Sequence, residues 1–148
     1  MTNKLTQKQY LILYKSSYIT LFGIFSAIYN KYYDLALTDI IIFITSINYW
    51  TNPNIILNRN IDISCVNIFI LYQLIRAYEA EYVIQSYICV AISLIFYRIS
   101  CKLSNRHLHW QATYAHIMVH IFMNMGSIIL HSGHIVPIQY NKIVLYLK

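Results

Sequence analysis

Charged side chains are scarce in this sequence. Asp, Glu, Lys and Arg make up 11% of its 148 residues, less than half of the share of about 25% that is usual in soluble domains. A soluble domain of this size needs a charged surface, and eleven basic and five acidic residues are too few to cover it. Apolar residues make up 58% of the chain. The composition therefore excludes an ordinary soluble domain and predicts a single membrane-embedded helical domain over residues 1–148.

Several common sequence signals are also missing. Cys65, Cys89 and Cys101 form no C-x-x-C pair, so we expect them to be reduced and to pack between helices. No N-x-S/T sequon occurs, so nothing indicates a glycosylated exterior. The apolar run after Lys4 and Lys8 contains no A-x-A-like cleavage site, and it therefore predicts a retained first span rather than a signal peptide.

The net charge of +6 does not indicate a nucleic-acid partner. The basic residues form no patch, and they stand singly near the ends of apolar runs, as juxtamembrane residues do. We therefore expect the lipid bilayer, and no nucleic acid, as the partner of this chain.

Five apolar runs are each close to the ~20 residues that a helix needs to cross a hydrocarbon core. Such long unbroken runs are rare in strands, and no segment alternates over about ten residues as the strands of a membrane barrel do. Turn signals follow the second and fifth runs, at Asn52-Pro53 and Ser132-Gly133. The sequence thus predicts an all-α fold, a polytopic transmembrane bundle of about five spans. The predicted spans are 10–29, 33–50, 61–78, 82–97 and 112–130.

Lys and Arg are unequally divided between the two sides of such a bundle. Seven of them would lie on the side of the N-terminus and four on the other side, and the segment 98–111 alone carries three. Because basic residues are enriched in cytoplasmic loops, this bias predicts a cytoplasmic N-terminus. Tyr and Trp residues cluster at the ends of the runs, as in the aromatic belts of membrane proteins.

The last predicted span carries a stripe of polar side chains. At about 100° per residue these side chains share a helix face about 80° wide, and the rest of the helix is apolar. The stripe rises over about 33 Å, the thickness of a bilayer core. Polar groups at this depth must meet protein, water or metal rather than lipid. The stripe consists of His109, Thr113, His116, His120, Asn124, Ser127 and His131.

Polar side chains repeat on the other spans as well, which predicts a bundle with a polar interior. Two roles for the stripe stay open at this point. Hydrogen-bonding and small residues join membrane helices, and Gly126 beside Ser127 would permit a close helix contact. The stripe could instead serve a function, since ionisable residues within a membrane often do. The repeats are Asp39, Ser46 and Trp50 on the second span, Asp62, Cys65, Gln73 and Arg76 on the third, and Gln85, Cys89 and Ser93 on the fourth.

His116 and His120 stand one helical turn apart, a spacing that lets two imidazoles share a metal ion. With Ser46 and Asp62 earlier in the chain, they resemble the pattern of CREST-type membrane hydrolases, which include the alkaline ceramidases. The resemblance implies zinc as cofactor, His116 and His120 as its ligands, and Ser46 and Asp62 as catalytic candidates that position the attacking water. Trp50 stands where that family has its first histidine. His109 or His131 would then have to supply the third ligand.

Two segments resemble an uncharacterised, Mimivirus-like family of multi-pass membrane proteins from giant DNA viruses. They are Thr45-Ser-Ile-Asn-Tyr-Trp-Thr-Asn-Pro53 and the stretch from Tyr114 to Gly133. After Pro53 this chain has Leu57-Asn58-Arg59 in place of the Trp-Arg-Arg of the family pattern. The resemblance implies a virion or host membrane as the location, and it implies no known activity.

These observations favour a structural or membrane-organising protein without established enzymatic activity. The alternative is an intramembrane metal-dependent hydrolase, or a protein that handles protons or ions along the histidine face of the last span. A homo-oligomer or other membrane proteins could assemble such faces around a pore. Haem held by two histidines is disfavoured, because no other predicted span contains a histidine.

Overall fold

The computed structural model describes residues 5–136, and within them the chain is almost entirely helical. The first two helices form one rod, because Tyr18 and Ile19 between them keep right-handed helical backbone angles. The predicted all-α fold is confirmed for these residues. The helices are α1 (Gln7–Ser17), α2 (Thr20–Tyr29), α3 (Tyr33–Thr51), α4 (Ile56–Ala77), α5 (Val83–Asn105) and α6 (His109–Ser132).

Three of the rods are long and apolar enough to cross a membrane, namely Gln7–Tyr29, Val83–Asn105 and His109–Ser132. The other two, α3 and α4, have 19 and 22 residues, which is sufficient length, but polar residues interrupt their apolar sequence. The chain thus forms helices over the predicted spans 33–50 and 61–78. Whether these two helices also cross a membrane, to give five spans in total, stays a prediction.

The helix ends follow backbone chemistry rather than hydropathy. α3 ends at Thr51, just before Pro53, and α6 ends at Ser132 with Gly133 as its cap, as the turn signals indicate. Two helices extend beyond the predicted spans: α4 begins at Ile56, before residue 61, and α5 continues to Asn105, past residue 97. Exposed polar residues continue the helix in both segments.

The rods form a ring around a polar interior. α6 packs against α5, α2 and α1, and α3 packs against α2, α1 and α4. α5 and α6 lie closest together, where Gly126 faces Cys89 and Ser86. α4 touches α5 only slightly, so the ring has a seam between these two helices.

One end of the ring is tied by polar contacts. The Arg76 side chain of α4 pairs with Asp34 of α3 at 2.9 Å and donates to the Val136 carbonyl at 2.6 Å. The Tyr72 hydroxyl donates to the same Asp34 carboxylate at 2.8 Å. These contacts, which we call the end clamp, fix α3, α4 and the residues after α6 to one another. Arg76 thus pairs within the clamp, although it shares a helix face with Asp62.

The outer faces of the rods are apolar. Large side chains such as Phe22, Ile68, Ile75 and Ile84 are each more than 60% exposed. Soluble monomers rarely expose apolar surface on this scale. This surface suits a lipid environment.

Candidate functional site

The polar stripe of α6 lies on the inward face of the ring. Thr113, Asn124, Ser127 and His131 are buried, and His109, His116 and His120 are half-buried. The intervening Tyr114, Ile121, Met125 and Ile128 are exposed. The helix therefore presents its polar side to the protein interior.

A cavity of about 590 Å³ occupies that interior. It brings together side chains from all five rods, including the catalytic candidates and most of the α6 stripe. His109 and His131 do not line it. The polar side chains that line the cavity include Thr20, Asp39, Ser46, Asp62, Gln73, Ser93, Thr113, His116, His120, Asn124 and Ser127.

His116 and His120 are neighbours in this cavity, with ring centroids 5.2 Å apart and ring planes at 59°. Trp50 and His116 pack in a T-shaped arrangement with ring centroids 5.4 Å apart, and the centroid of the Tyr97 ring lies 6.4 Å from that of His116. His116 therefore contacts an aromatic residue at the position where the hydrolase resemblance would require a ligand.

A third metal ligand is not placed beside this pair. In residues 5–136 no group of three or more His, Cys, Asp or Glu side chains is arranged to hold a metal ion. His109 lies next to His107, with ring centroids 6.1 Å apart. His131 lies next to Tyr32 and close to the backbone of Gly23, on another part of the helix. A zinc ion bound here would have only the two imidazoles as nitrogen ligands.

The two catalytic candidates are engaged in separate contacts. Asp62 accepts a hydrogen bond from the Thr45 hydroxyl at 3.0 Å. The Ser46 hydroxyl accepts a long hydrogen bond, of 3.5 Å, from the Ser17 hydroxyl. Both side chains are buried and both line the cavity, but they do not bond to each other.

Asp39 is the most deeply buried carboxyl group of the interior, at 3% exposed. The Gln73 side chain donates to its Oδ1 at 2.7 Å, and its Oδ2 has no hydrogen-bond partner. On α6, the Asn124 amide donates to the His120 carbonyl at 2.8 Å and to the Thr20 hydroxyl at 3.5 Å. Asp39 and Asn124 both approach Gly23 of α2.

The interior carboxyl groups have no positive partner. The one ion pair among residues 5–136 is that of the end clamp, and neither Asp39 nor Asp62 takes part in it. Arg59 and Arg98 line the cavity from exposed positions, and they pair with neither carboxyl group. An isolated charge in such surroundings is costly, so these groups need neutralisation by a proton or a cation.

Sequence reasoning found part of this site. The spacing of Asp39 and Ser46 indicated an inward face on α3, and the spacing of Asp62, Cys65 and Gln73 did so on α4; all of these side chains are buried or half-buried. Gln85 is exposed, so its expected place in a polar row on α5 was wrong. The three cysteines form no disulfide, but Cys101 is exposed rather than packed between helices.

Comparison with known proteins yields no family model, no curated protein and no solved structure that matches this chain.

Proposed function

We propose that this chain is a multi-span membrane protein that binds protons or small cations in its polar interior and passes them across the bilayer. The observation that carries the proposal is the pair of buried carboxyl groups, Asp39 and Asp62, which line one cavity and have no cationic partner in the described residues. Ionisable groups kept unpaired within a membrane mark ion and proton pathways.

The histidine pair extends the row of titratable groups in the same cavity. Asp39 lies near Asn124, and His120 and His116 follow along α6 at about 6 Å and 12 Å of helix rise from Asn124. A proton relay uses groups of this kind at successive depths, because each one can accept and release a proton.

The outer surface of α4 supports a fifth span. Ile61, Ile68, Leu71 and Ile75 are all at least 40% exposed, and their spacing of seven, three and four residues places them on one helix face. The opposite face carries Asp62 and Gln73 toward the cavity. A helix with an apolar outer face and a polar inner face suits the wall of a membrane conduit.

Flux measurements in sealed liposomes test the proposal. We expect the purified protein to dissipate an imposed proton or Na⁺ gradient, and the variants D39N and D62N to reduce that flux at least tenfold. The matched control E79Q removes a carboxylate from an exposed position and should leave the flux unchanged. Equal gradients with and without the protein would refute the function.

A metal-dependent hydrolase is the second candidate, since Ser46, Asp62, His116 and His120, the four residues that the CREST resemblance names, line one cavity. Zinc measured on the same purified samples separates the two proposals. The hydrolase requires one zinc per chain, lost when both histidines are replaced by alanine. A conduit requires no such stoichiometry.

The structural or membrane-organising role remains the proposal to adopt if neither flux nor zinc is found. The giant-virus resemblance supports a virion or host membrane as location, and the distribution of basic residues supports a cytoplasmic N-terminus. Assembly into a homo-oligomer, or with other membrane proteins, would use the apolar outer faces.

A further inference from the structure

Two oxygen atoms converge on Gly23, where α2, α3 and α6 meet. A Cβ atom on this residue would stand 3.0 Å from Asp39 Oδ2 and 3.2 Å from Asn124 Oδ1. The Cβ of Ser127 would be 3.7 Å away on the same side. Because residue 23 has no side chain, a small space stays open between the two oxygens.

Both oxygens are hydrogen-bond acceptors. The amide nitrogen of Asn124 is engaged with the His120 carbonyl and the Thr20 hydroxyl, so its oxygen is the atom that faces Gly23. Gln73 donates to the other oxygen of Asp39 and leaves Oδ2 unused. A carboxylate oxygen and an amide oxygen cannot bond to each other, so this space calls for a donor or a positive charge.

The burial of Asp39 is an independent indication of a bound partner at this position. Its side chain is only 3% exposed, it lines the cavity, and its Oδ2 has no partner. Native proteins rarely leave a buried carboxylate oxygen unsatisfied, because the desolvation of the charge is not then repaid. A cation over Gly23 would satisfy this atom and neutralise the carboxylate, whereas a proton on Oδ2 would satisfy it without a bound ion.

We propose that Asp39 Oδ2, Asn124 Oδ1 and the space over Gly23 form a binding site for a small monovalent cation, with Na⁺ as the probe ion. Oxygen atoms are the ligands that hard cations prefer. One carboxylate neutralises one positive charge, whereas a divalent ion would leave a net charge within the membrane. A bridging water would satisfy the oxygens but would leave the carboxylate charge unpaired.

This inference rests on the proposed function, because it names the cation and gives it a position in the conduit. Equilibrium binding of ²²Na⁺ to the full chain in detergent tests it, with N-methylglucamine chloride holding the ionic strength constant. We expect saturable binding of one Na⁺ per chain. The variant D39N, which keeps the shape and removes the charge, should weaken binding at least tenfold.

Substitution of Gly23 tests the position of the ion. The methyl group of G23A would occupy the space between the two oxygens, so it should weaken Na⁺ binding at least tenfold. G126A is the matched control, because its methyl group would be equally crowded, at 3.0 Å from Cys89 Cβ and 3.3 Å from the Ser86 carbonyl oxygen, at a site without a carboxylate oxygen. E79Q is the control for loss of charge, and both controls should bind Na⁺ within twofold of the wild type.

Three results would overturn the site. They are the absence of saturable Na⁺ binding, Na⁺ binding that D39N leaves unchanged, and saturable binding of Ca²⁺ in preference to Na⁺. If G23A does not fold, the D39N comparison decides, together with a rise of the thermal midpoint with Na⁺ that wild type shows and D39N lacks. Proton flux without Na⁺ binding would overturn the site and retain the proposed function. Na⁺ binding without flux would support the site and refute conduction.

Discussion

The Tyr32 hydroxyl joins the turn after α2 to the chain beyond α6. It donates to the Gly133 carbonyl at 2.8 Å and accepts from the Ile135 amide at 3.1 Å. We expect Y32F to keep the ring contacts and to lose both hydrogen bonds, which lowers the free energy of unfolding by about 1–2 kcal/mol. Thermal unfolding in detergent, followed by circular dichroism, measures the change. Y78F, at an exposed tyrosine, should unfold at the wild-type temperature, and equal midpoints for the two variants would contradict the role of Tyr32.

Individual residues of the site could be predicted only where polar side chains repeat with the period of an α-helix. The seven-residue stripe of α6 turns inward because polar groups three and four positions apart share a face. The contacts between helices could not be predicted in this way. No sequence pattern links Asp39 to Gln73 or to Asn124, and nothing about Gly23 marks it as the residue over which they meet. Such pairs depend on which helices pack against each other, and the pattern of a single sequence does not indicate which helices are neighbours.

The turns between helices were harder to predict than the helices. After α2, the amide of Tyr32 bonds to the Ala27 carbonyl and that of Lys31 to the Ile28 carbonyl, which is the Schellman pattern of a helix end. The same pattern ends α5, with His107 in the left-handed position. Glycine normally occupies that position, and here Lys31 and His107 occupy it with φ of 65° and 63°. Without glycine as a signal, hydropathy indicated only the end of α2, at residue 29, and the end of α5 at Asn105 lies beyond the predicted span.

Lys31 offers a test of this turn. A left-handed conformation costs a non-glycine residue roughly 1–2 kcal/mol, and the greater backbone freedom of glycine offsets about half of that. We therefore expect K31G to raise the free energy of unfolding by about 0.5–1 kcal/mol, measured as a higher thermal midpoint. The same change in the α5 helix, K102G, should lower it by about 1 kcal/mol. Destabilisation by K31G equal to that of K102G would show that residue 31 is not strained.

The molecule as a whole reverses the usual distribution of side chains, with an apolar outer surface and a polar interior cavity. Composition predicted this reversal, because too few charges were available for a water-facing surface. The ring order of the rods and the seam between α4 and α5 were not predictable, since they follow from side-chain packing between distant segments. The number of crossings depends on α3 and α4, whose cavity-facing Asp39 and Asp62 lower their hydropathy although their outer faces are apolar.

Cysteine labelling of the loops decides whether α4 crosses the membrane. In a background with serine at positions 65, 89 and 101, single cysteines are placed at the exposed residues Asn52, Glu79 and Arg106 and labelled with an impermeant maleimide on sealed vesicles. Glu79 and Arg106 flank α5 and must label from opposite sides, which is the internal control. We expect Asn52, in the turn between α3 and α4, to label from the side of Arg106. The two residues are separated by α4 and α5, and two crossings return the chain to the same side. Labelling of Asn52 from the side of Glu79 would mean that α4 does not cross, and Asp62 would then lie outside the bilayer core.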